Sequence, residues 1–297
     1  MVCEPALFCE LVGIGYDGHA LSMTEKTPAE GVVREALARL FLATGDEAPG
    51  ALRDEDRKKV VEVTALLAEL APLVGSRRRG ETGVLVDAAA GKSALGLLAA
   101  ELLLAGAPRP WRLLAMERDE ARAAAFVEAA SRRTISQEAV EVALVRSDLR
   151  DAEWPEKPDV VVALHACGVA SDAVLEGAVA AEARWLLLVP CCYGAAPGGR
   201  RAARGHEAQP PAQKLAAPWA ETLGIPPRGE VGRRFAQSLI DAERTLRLEA
   251  AGYEVEVVPF VAPTVTPHNL LWRARRIGPS GRAEAAAERL CRLRSRG

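Results

Sequence analysis

The segment Val84–Gly96, VLVDAAAGKSALG, constrains this chain more than any other. An apolar run ends in an acid, Asp87, passes through very small residues and enters an alanine-rich stretch with helical spacing. That order marks the first strand–turn–helix junction of an open α/β sheet, where small residues let the backbone approach a nucleotide-like cofactor. Two kinds of loop share the outline. Asp87-x-Ala89-x-Gly91-x-Ser93 is a worn Asp-x-Gly-x-Gly-x-Gly turn, and Gly91-Lys92-Ser93 matches the end of a phosphate-binding loop.

The chain after Val84 alternates strand and helix patterns. Strands are expected at Gly83–Asp87, Trp111–Glu117, Val140–Val145, Asp159–Leu164 and Trp185–Val189. The helices between them are expected at Lys92–Ala105, Asp119–Arg133 and Ser171–Ala181. Short continuous apolar runs separated by amphipathic helices indicate a parallel sheet covered on both faces. After a helix over Glu230–Ala251, the runs Glu254–Val261 and Asn269–Arg275 read as a hairpin around the turn Ala262–His268. The expected fold is therefore α/β and Rossmann-like: a doubly wound, mostly parallel seven-stranded sheet ending in an antiparallel hairpin.

Residues 1–79 read as an N-terminal helical extension, with helices over Pro28–Ala43 and Arg53–Val74. The second opens on Asp54, Glu55 and Asp56, which suit a helix N-terminus. Residues 80–276 form the sheet domain and 277–297 a basic tail, as a helix or a frayed end. Gly194–Gly229, rich in Gly and Pro, is too long for an ordinary connection, so it reads as a functional lid or a disordered excursion.

With 297 residues and a formal net charge of −2, the chain can bury a sizeable core. No apolar run approaches the ~20 residues of a membrane span, and no segment reads as a signal peptide. The six cysteines show no disulfide-framework spacing, so a reducing cytoplasm is expected. Arginine greatly outnumbers lysine and clusters at Arg77–Arg79, at Arg200, Arg201 and Arg204, and from Arg273 to Arg296. Codon preference explains this, and so does phosphate contact with a nucleic acid.

A phosphate-binding loop of Gly-x-x-x-x-Gly-Lys-Ser/Thr type needs glycine where Val86 stands. No later strand ends in the acid that would position magnesium: the fourth ends at Leu164-His165, the fifth at Val189-Pro190. An S-adenosylmethionine (SAM) site makes three demands, and all are met. Ala88–Gly91 are small, Glu117 ends the second strand where ribose hydroxyls need an acceptor, and Asp148-Leu149 follow the third, where adenine sits. Either acid alone reads as well as a helix or turn cap.

The fourth and fifth strands run into Leu164-His165-Ala166-Cys167-Gly168-Val169-Ala170-Ser171-Asp172 and Val189-Pro190-Cys191-Cys192-Tyr193-Gly194. Neighbouring strands in this fold bring such segments to one crevice. Together they resemble the SAM-dependent methyltransferases that include methyltransferase-like protein twenty-five and its bacterial relatives, and more distantly a tRNA 2′-O-methyltransferase with a similar cysteine pair. Lys58-Lys59-x-x-Glu62-Val63, Ala90-Gly91-Lys92-Ser93 and Thr266-Pro267-His268-Asn269-Leu270-Leu271 agree, so the resemblance spans about residues 55–275. The loop departs from the family pattern at Ala89 and Ser93, both small.

The resemblance implies SAM as cofactor, methyl transfer as activity and RNA as an acceptor class; the alternatives are a protein or small-molecule acceptor, or a non-catalytic SAM-fold module that binds RNA or a partner. The candidate catalytic residues are His165, Cys191 and Tyr193. The candidate cofactor residues are Asp87, Ala89, Gly91, Lys92, Glu117, Asp148, Leu149 and His165, and no metal is assigned. His165 fits a general base and a structural hydrogen-bonder equally. Cys167 and Cys192 fit small buried hydrophobes better than zinc ligands, because His-x-Cys and Cys-Cys are not tetrahedral-site spacings. Tyr193 fits a stacking surface or core packing. His268 and Asn269 fit the acceptor side or turn chemistry, and Lys58 and Lys59 a phosphate contact or a solvated face.

Overall fold

In a computed structural model, residues 27–41, 53–75, 82–136, 138–193, 211–226 and 229–295 are described, without the side chains of 191, 192 and 211–214. Two helices, α1 (Glu30–Phe41) and α2 (Asp54–Val74), precede the sheet. Then come β1 (Gly83–Ala88), α3 (Ala94–Ala99) running into a π-helical turn (Ala100–Leu104), β2 (Trp111–Met116), α4 (Glu120–Ser131) and β3 (Val140–Val145). They are followed by β4 (Val160–Cys167), α5 (Val169–Ala180) and β5 (Trp185–Cys192). The chain ends with α6 (Pro211–Thr222), α7 (Gly229–Ala250), β6 (Tyr253–Pro259), β7 (Leu270–Arg276) and α8 (Gly281–Arg294).

One seven-stranded sheet runs in the order β3-β2-β1-β4-β5-β7-β6. The first five strands are parallel, and β7 pairs antiparallel with both β5 and β6. This is the Rossmann-like methyltransferase fold. Strand order reverses between β1 and β4, so their carboxyl ends part there and open the crevice in which such sheets bind ligands.

Side chains alternate between two cores, as strand geometry requires. Leu85, Leu113 and Val162 face a core closed by α1, α2, α3 and α4; Val86, Leu114 and Val161 face one closed by α5 and α7. The α2 helix belongs to the first core because Val60, Val63, Leu67, Leu70 and Val74 recur at helical spacing and are all buried.

Three expectations change, and the tail takes the helical form of its two. α3 starts at Ala94 rather than Lys92, because Ser93 has φ 55° and cannot continue a right-handed helix. β4 and β5 run on to Cys167 and Cys192, so His165 lies within a strand and not after it. In the Gly194–Gly229 segment, 194–210 lie outside the described residues, but Pro211–Thr222 is a helix packed on α7, and its Trp219 Nε1 donates to the Leu293 carbonyl at 2.9 Å. That part is neither lid nor disordered. The tail is a packed helix, capped by the Ser280 hydroxyl and seated on α7. No helix among the described residues is long and apolar enough to cross a membrane.

Candidate active site

The turn after β1 keeps a glycine backbone without most of its glycines. Ala89, Gly91 and Ser93 all sit in the left-handed region, at φ 54°, 61° and 55°. These are the three glycine slots of the worn motif. A side chain there costs about 1–2 kcal/mol. At Ser93 the residue gives something in return: its hydroxyl donates to Asp87 Oδ2 at 2.6 Å, and the Gly96 amide donates to the same oxygen at 3.1 Å. Ser93 is therefore a loop clamp and not a magnesium ligand, and Lys92 is exposed. A Cβ on Gly96 would lie 2.5 Å from Ser93 Oγ and 2.8 Å from Asp87 Oδ2, so this contact requires glycine.

Asp87 is buried, and burial, opposed by these two hydrogen bonds and by Lys59, raises its pKa to about 7. Glu117 receives one amide on each carboxylate oxygen, Gly91 N–H at 2.8 Å and Asp119 N–H at 2.8 Å. These bonds aim it across the loop, and each oxygen keeps lone pairs for further donors. Asp148 accepts from the Arg118 and Arg150 guanidiniums, and Arg150 foremost holds its carboxyl far below the ordinary range. Leu149 is buried in the second core, and its backbone carbonyl accepts from Trp154 Nε1 at 3.0 Å.

The donors and acceptors fit SAM. A left-handed loop with open space above Gly91, a carboxylate at the end of β2 and an acid after β3 lie along one side of the crevice.

On the other side of the switch point, segments distant in sequence meet. Leu164 pairs with Val189 and Ala166 with Pro190, so His165 is an extra residue in β4, a bulge with φ 64°. Its Nε2 lies 2.8 Å from Glu62 Oε2 on α2. Tyr193, just past β5, donates its hydroxyl to Asp241 Oδ2 at 2.9 Å and packs edge-on to His268, ring centres 5.8 Å apart. Burial, then the neighbouring Asp241 charge, pushes the Tyr193 phenol far above its ordinary range. Burial raises Asp241 to about 6. Burial, then Arg233 and His165, lowers His268.

Asp172, from the same motif as His165, anchors this wall. Its two oxygens take Arg244 Nε and Nη2 at 3.2 and 3.1 Å, and the fully buried Arg244 also reaches the Gly168 carbonyl.

Cys167, expected as a buried hydrophobe, is only partly buried and is disulfide-bonded. The expectation drawn from cysteine spacing does not hold at this residue. The side chains of Cys191 and Cys192 lie outside what is described, so the structure does not place Cys191 in the site. Among the described residues, no three His, Cys, Asp or Glu side chains are grouped to hold a metal. Asn269 donates to the Val261 carbonyl at 2.7 Å, which is turn chemistry, while His268 joins the site. Glu62, Asp241 and Arg244 were missed as site residues. Only Glu62 left a signal, its place in the segment Lys58-Lys59-x-x-Glu62-Val63.

Residues 58–196 match the family model described as "Methyltransferase domain", just under half of the chain. These residues are a SAM-dependent methyltransferase domain. Glutathione S-transferase C-terminal domain-containing proteins of Homo sapiens and Macaca fascicularis are each 26% identical over 122 residues, covering 37% of this chain and 19% of theirs. The chain thus corresponds to about a fifth of the length of those relatives.

Among solved structures, the chain is similar to the SAH-bound magnesium protoporphyrin IX methyltransferase of Synechocystis PCC 6803, at 12% identity and TM-score 0.43 over 82% of this chain and 93% of that one. It is also similar to an rRNA methylase of Streptococcus thermophilus, at 9% identity and TM-score 0.39 over 71% and 95%. Likenesses of this size carry no information about the acceptor.

The C-terminal arginines are largely neutralised. Arg273 pairs with Glu69, Arg275 with Glu254, Arg276 with Glu182, Arg282 and Arg289 with Glu249, and Arg294 with Glu243. The clusters at 77–79 and 200–204 lie outside the described residues.

Proposed function

We propose that the methyltransferase acts on a hydroxyl or amine carried by RNA, with His165 taking the acceptor's proton. The observation behind this reading is the convergence of His165, Tyr193 and His268 on the far side of the switch point from the loop. Glu117 would hold the ribose of SAM, Asp148 its adenine, and the left-handed loop its methionine end. When bound, SAM supplies a methyl group made electrophilic by its sulfonium.

The residues of this chain do the rest. Holding acceptor and cofactor in line provides most of the acceleration. A neutral imidazole carries a ring-nitrogen lone pair that can accept a proton. The Tyr193–His268 pair forms an aromatic edge on which an unstacked base can rest. The LHACG and PCCYG segments support a place near the methyltransferase-like protein twenty-five branch, with residues 1–79 as a helical extension to the catalytic domain.

A second reading, a protein or small-molecule acceptor, is favoured by the paired C-terminal arginines, which leave that face little net positive charge for phosphates. Transfer of labelled methyl from SAM in a lysate separates the two. RNase should release the label and protease should leave it; label that survives RNase overturns the RNA reading.

A further inference from the structure

We propose that Lys59 receives the α-carboxylate of SAM, which makes the α2 helix part of the cofactor site. The inference rests on the reading that the left-handed loop after β1 takes the methionine end of SAM.

Three observations carry it. The first is place. Lys59, Glu62, Val63 and Leu66 recur at helical spacing and share one face of α2. Val63 and Leu66 are buried in the first core, and the Glu62 contact with His165 pins that face at the carboxyl end of β4, the neighbour of β1. Lys59 lies one turn further, roughly 4.5 Å along the helix axis. Its charge acts on Asp87, the residue that clamps the loop through Ser93 and Gly96. The second is charge. Lys59 is partly buried, yet among the described residues it forms no ion pair. Asp54 pairs with Arg57 and Glu62 with His165, and Glu55 and Asp56, a turn earlier, do not reach it. An ammonium half out of water without a counter-ion costs free energy, and a ligand carboxylate removes that cost. The third is the choice of cation. Lys92, in the loop itself, is exposed to water, where an ion pair adds little. Lys58 is exposed and points about 100° around the helix from Lys59. Lys59 alone of the three combines partial burial with the face that meets the crevice.

The chemistry is recognition and involves no covalent step. The methionine end of SAM carries an ammonium and a carboxylate. Glu117 and Asp148 are acids suited to the nucleoside, so the carboxylate needs a donor from elsewhere, and the Lys59 ammonium donates to it with opposite charge. Held at its carboxylate by Lys59 and at its ribose by Glu117, the cofactor is fixed on both sides of its sulfonium, which limits the freedom of the group to be transferred. A ligand that keeps the adenosine and the sulfonium but lacks the carboxylate loses this bond and leaves Lys59 without a counter-ion.

Calorimetry on the full chain, with SAM and with decarboxylated SAM, tests this. We expect wild type to prefer SAM by about 10- to 100-fold, the range for a hydrogen bond between charged groups. Lys59→Gln should bind SAM at least about tenfold more weakly and decarboxylated SAM within about threefold of wild type, so that the preference collapses. Lys59→Glu should invert it. Lys58→Gln and Lys92→Gln should keep the wild-type preference. Both ligands are read on the same protein, so a general loss of fold weakens both; if Lys59→Gln binds neither, the inversion in Lys59→Glu decides. Equal affinities in wild type overturn the proposal, as does a preference that survives in Lys59→Gln or is lost in Lys92→Gln instead. Filter retention of total cellular RNA is read on the same proteins. A Lys59→Gln that keeps its preference for SAM but no longer retains RNA assigns Lys59 to acceptor phosphates and also overturns the proposal. Glu117→Ala should weaken both ligands alike. If it weakens neither, the reading of the loop as the seat of the cofactor fails instead, and the preference in Lys59→Gln still decides the role of Lys59.

Discussion

The two sides of the crevice are built in different ways. On the β1–β2–β3 side backbone amides do much of the holding, Gly96 to Asp87 and Gly91 and Asp119 to Glu117, joined by the Ser93 hydroxyl on Asp87 and the Arg118 and Arg150 guanidiniums on Asp148. On the β4–β5 side the groups come from distant segments and are held by side chains: Glu62 to His165, Tyr193 to Asp241, Arg244 to Asp172. A backbone donor survives most changes of its own side chain, Gly96 excepted, because a Cβ there would collide with Ser93 and Asp87. Side-chain pairs do not, because removing either member leaves a buried polar group unmet. Changes on the first side should therefore act on cofactor binding and stability, and changes on the second on transfer.

The largest expected effect is on the second side. His165→Ala should lower turnover by roughly 100- to 1,000-fold, the range for a lost general base, when labelled methyl transfer is followed under saturating SAM. Equal loss of SAM affinity would erase the distinction between the sides. Next is Gly96→Ala, whose methyl collides with Ser93 and Asp87. Overpacking of this kind should cost about 3 kcal/mol, read as a fall in the denaturant midpoint, with weaker SAM binding.

Asp87 gives a pH signature. Its folded pKa of about 7 lies above the ordinary 3.8, so between these values the folded state holds more protons than the unfolded one. Stability is then greatest at acid pH and declines as pH rises toward 7. Asp87→Asn keeps an acceptor for Ser93 and Gly96 but cannot ionise. It should match wild type near pH 4 and exceed it by on the order of 2 kcal/mol at pH 8, after allowance for relaxation around the buried charge. A gap that shrinks as pH rises would show that Asp87 is ionised and stabilising. The smallest effect is Tyr193→Phe, which removes one hydrogen bond worth about 1 kcal/mol and should raise KM for the acceptor severalfold without moving SAM affinity.

The same contrast explains what could be read from the chain alone. The strands and the final hairpin were legible because buried parallel strands are continuous apolar runs and the hairpin alternates about a turn. The left-handed loop after β1 and the acids at the ends of β2 and β3 were legible because small residues and one acid per strand end are local marks. Glu62 stood inside a recognised motif, yet its meaning depends on His165, far along the chain and re-aimed by a bulge that no periodicity announces. Asp241 and Arg244 sit on an amphipathic helix like any charged residue until α7 docks. The C-terminal arginines suggested a free basic surface because their glutamate partners come from α2, α7 and neighbouring strands.

The central claim is that cofactor binding and transfer chemistry sit on separate sides of the switch point. A calorimetric SAM titration of wild type, Glu117→Ala and His165→Ala tests it most directly. The account predicts that Glu117→Ala loses about 100-fold or more in affinity, as expected for two charge-assisted bonds, while His165→Ala stays within about threefold of wild type. Wild-type affinity in Glu117→Ala, or a matching loss in His165→Ala, would contradict it.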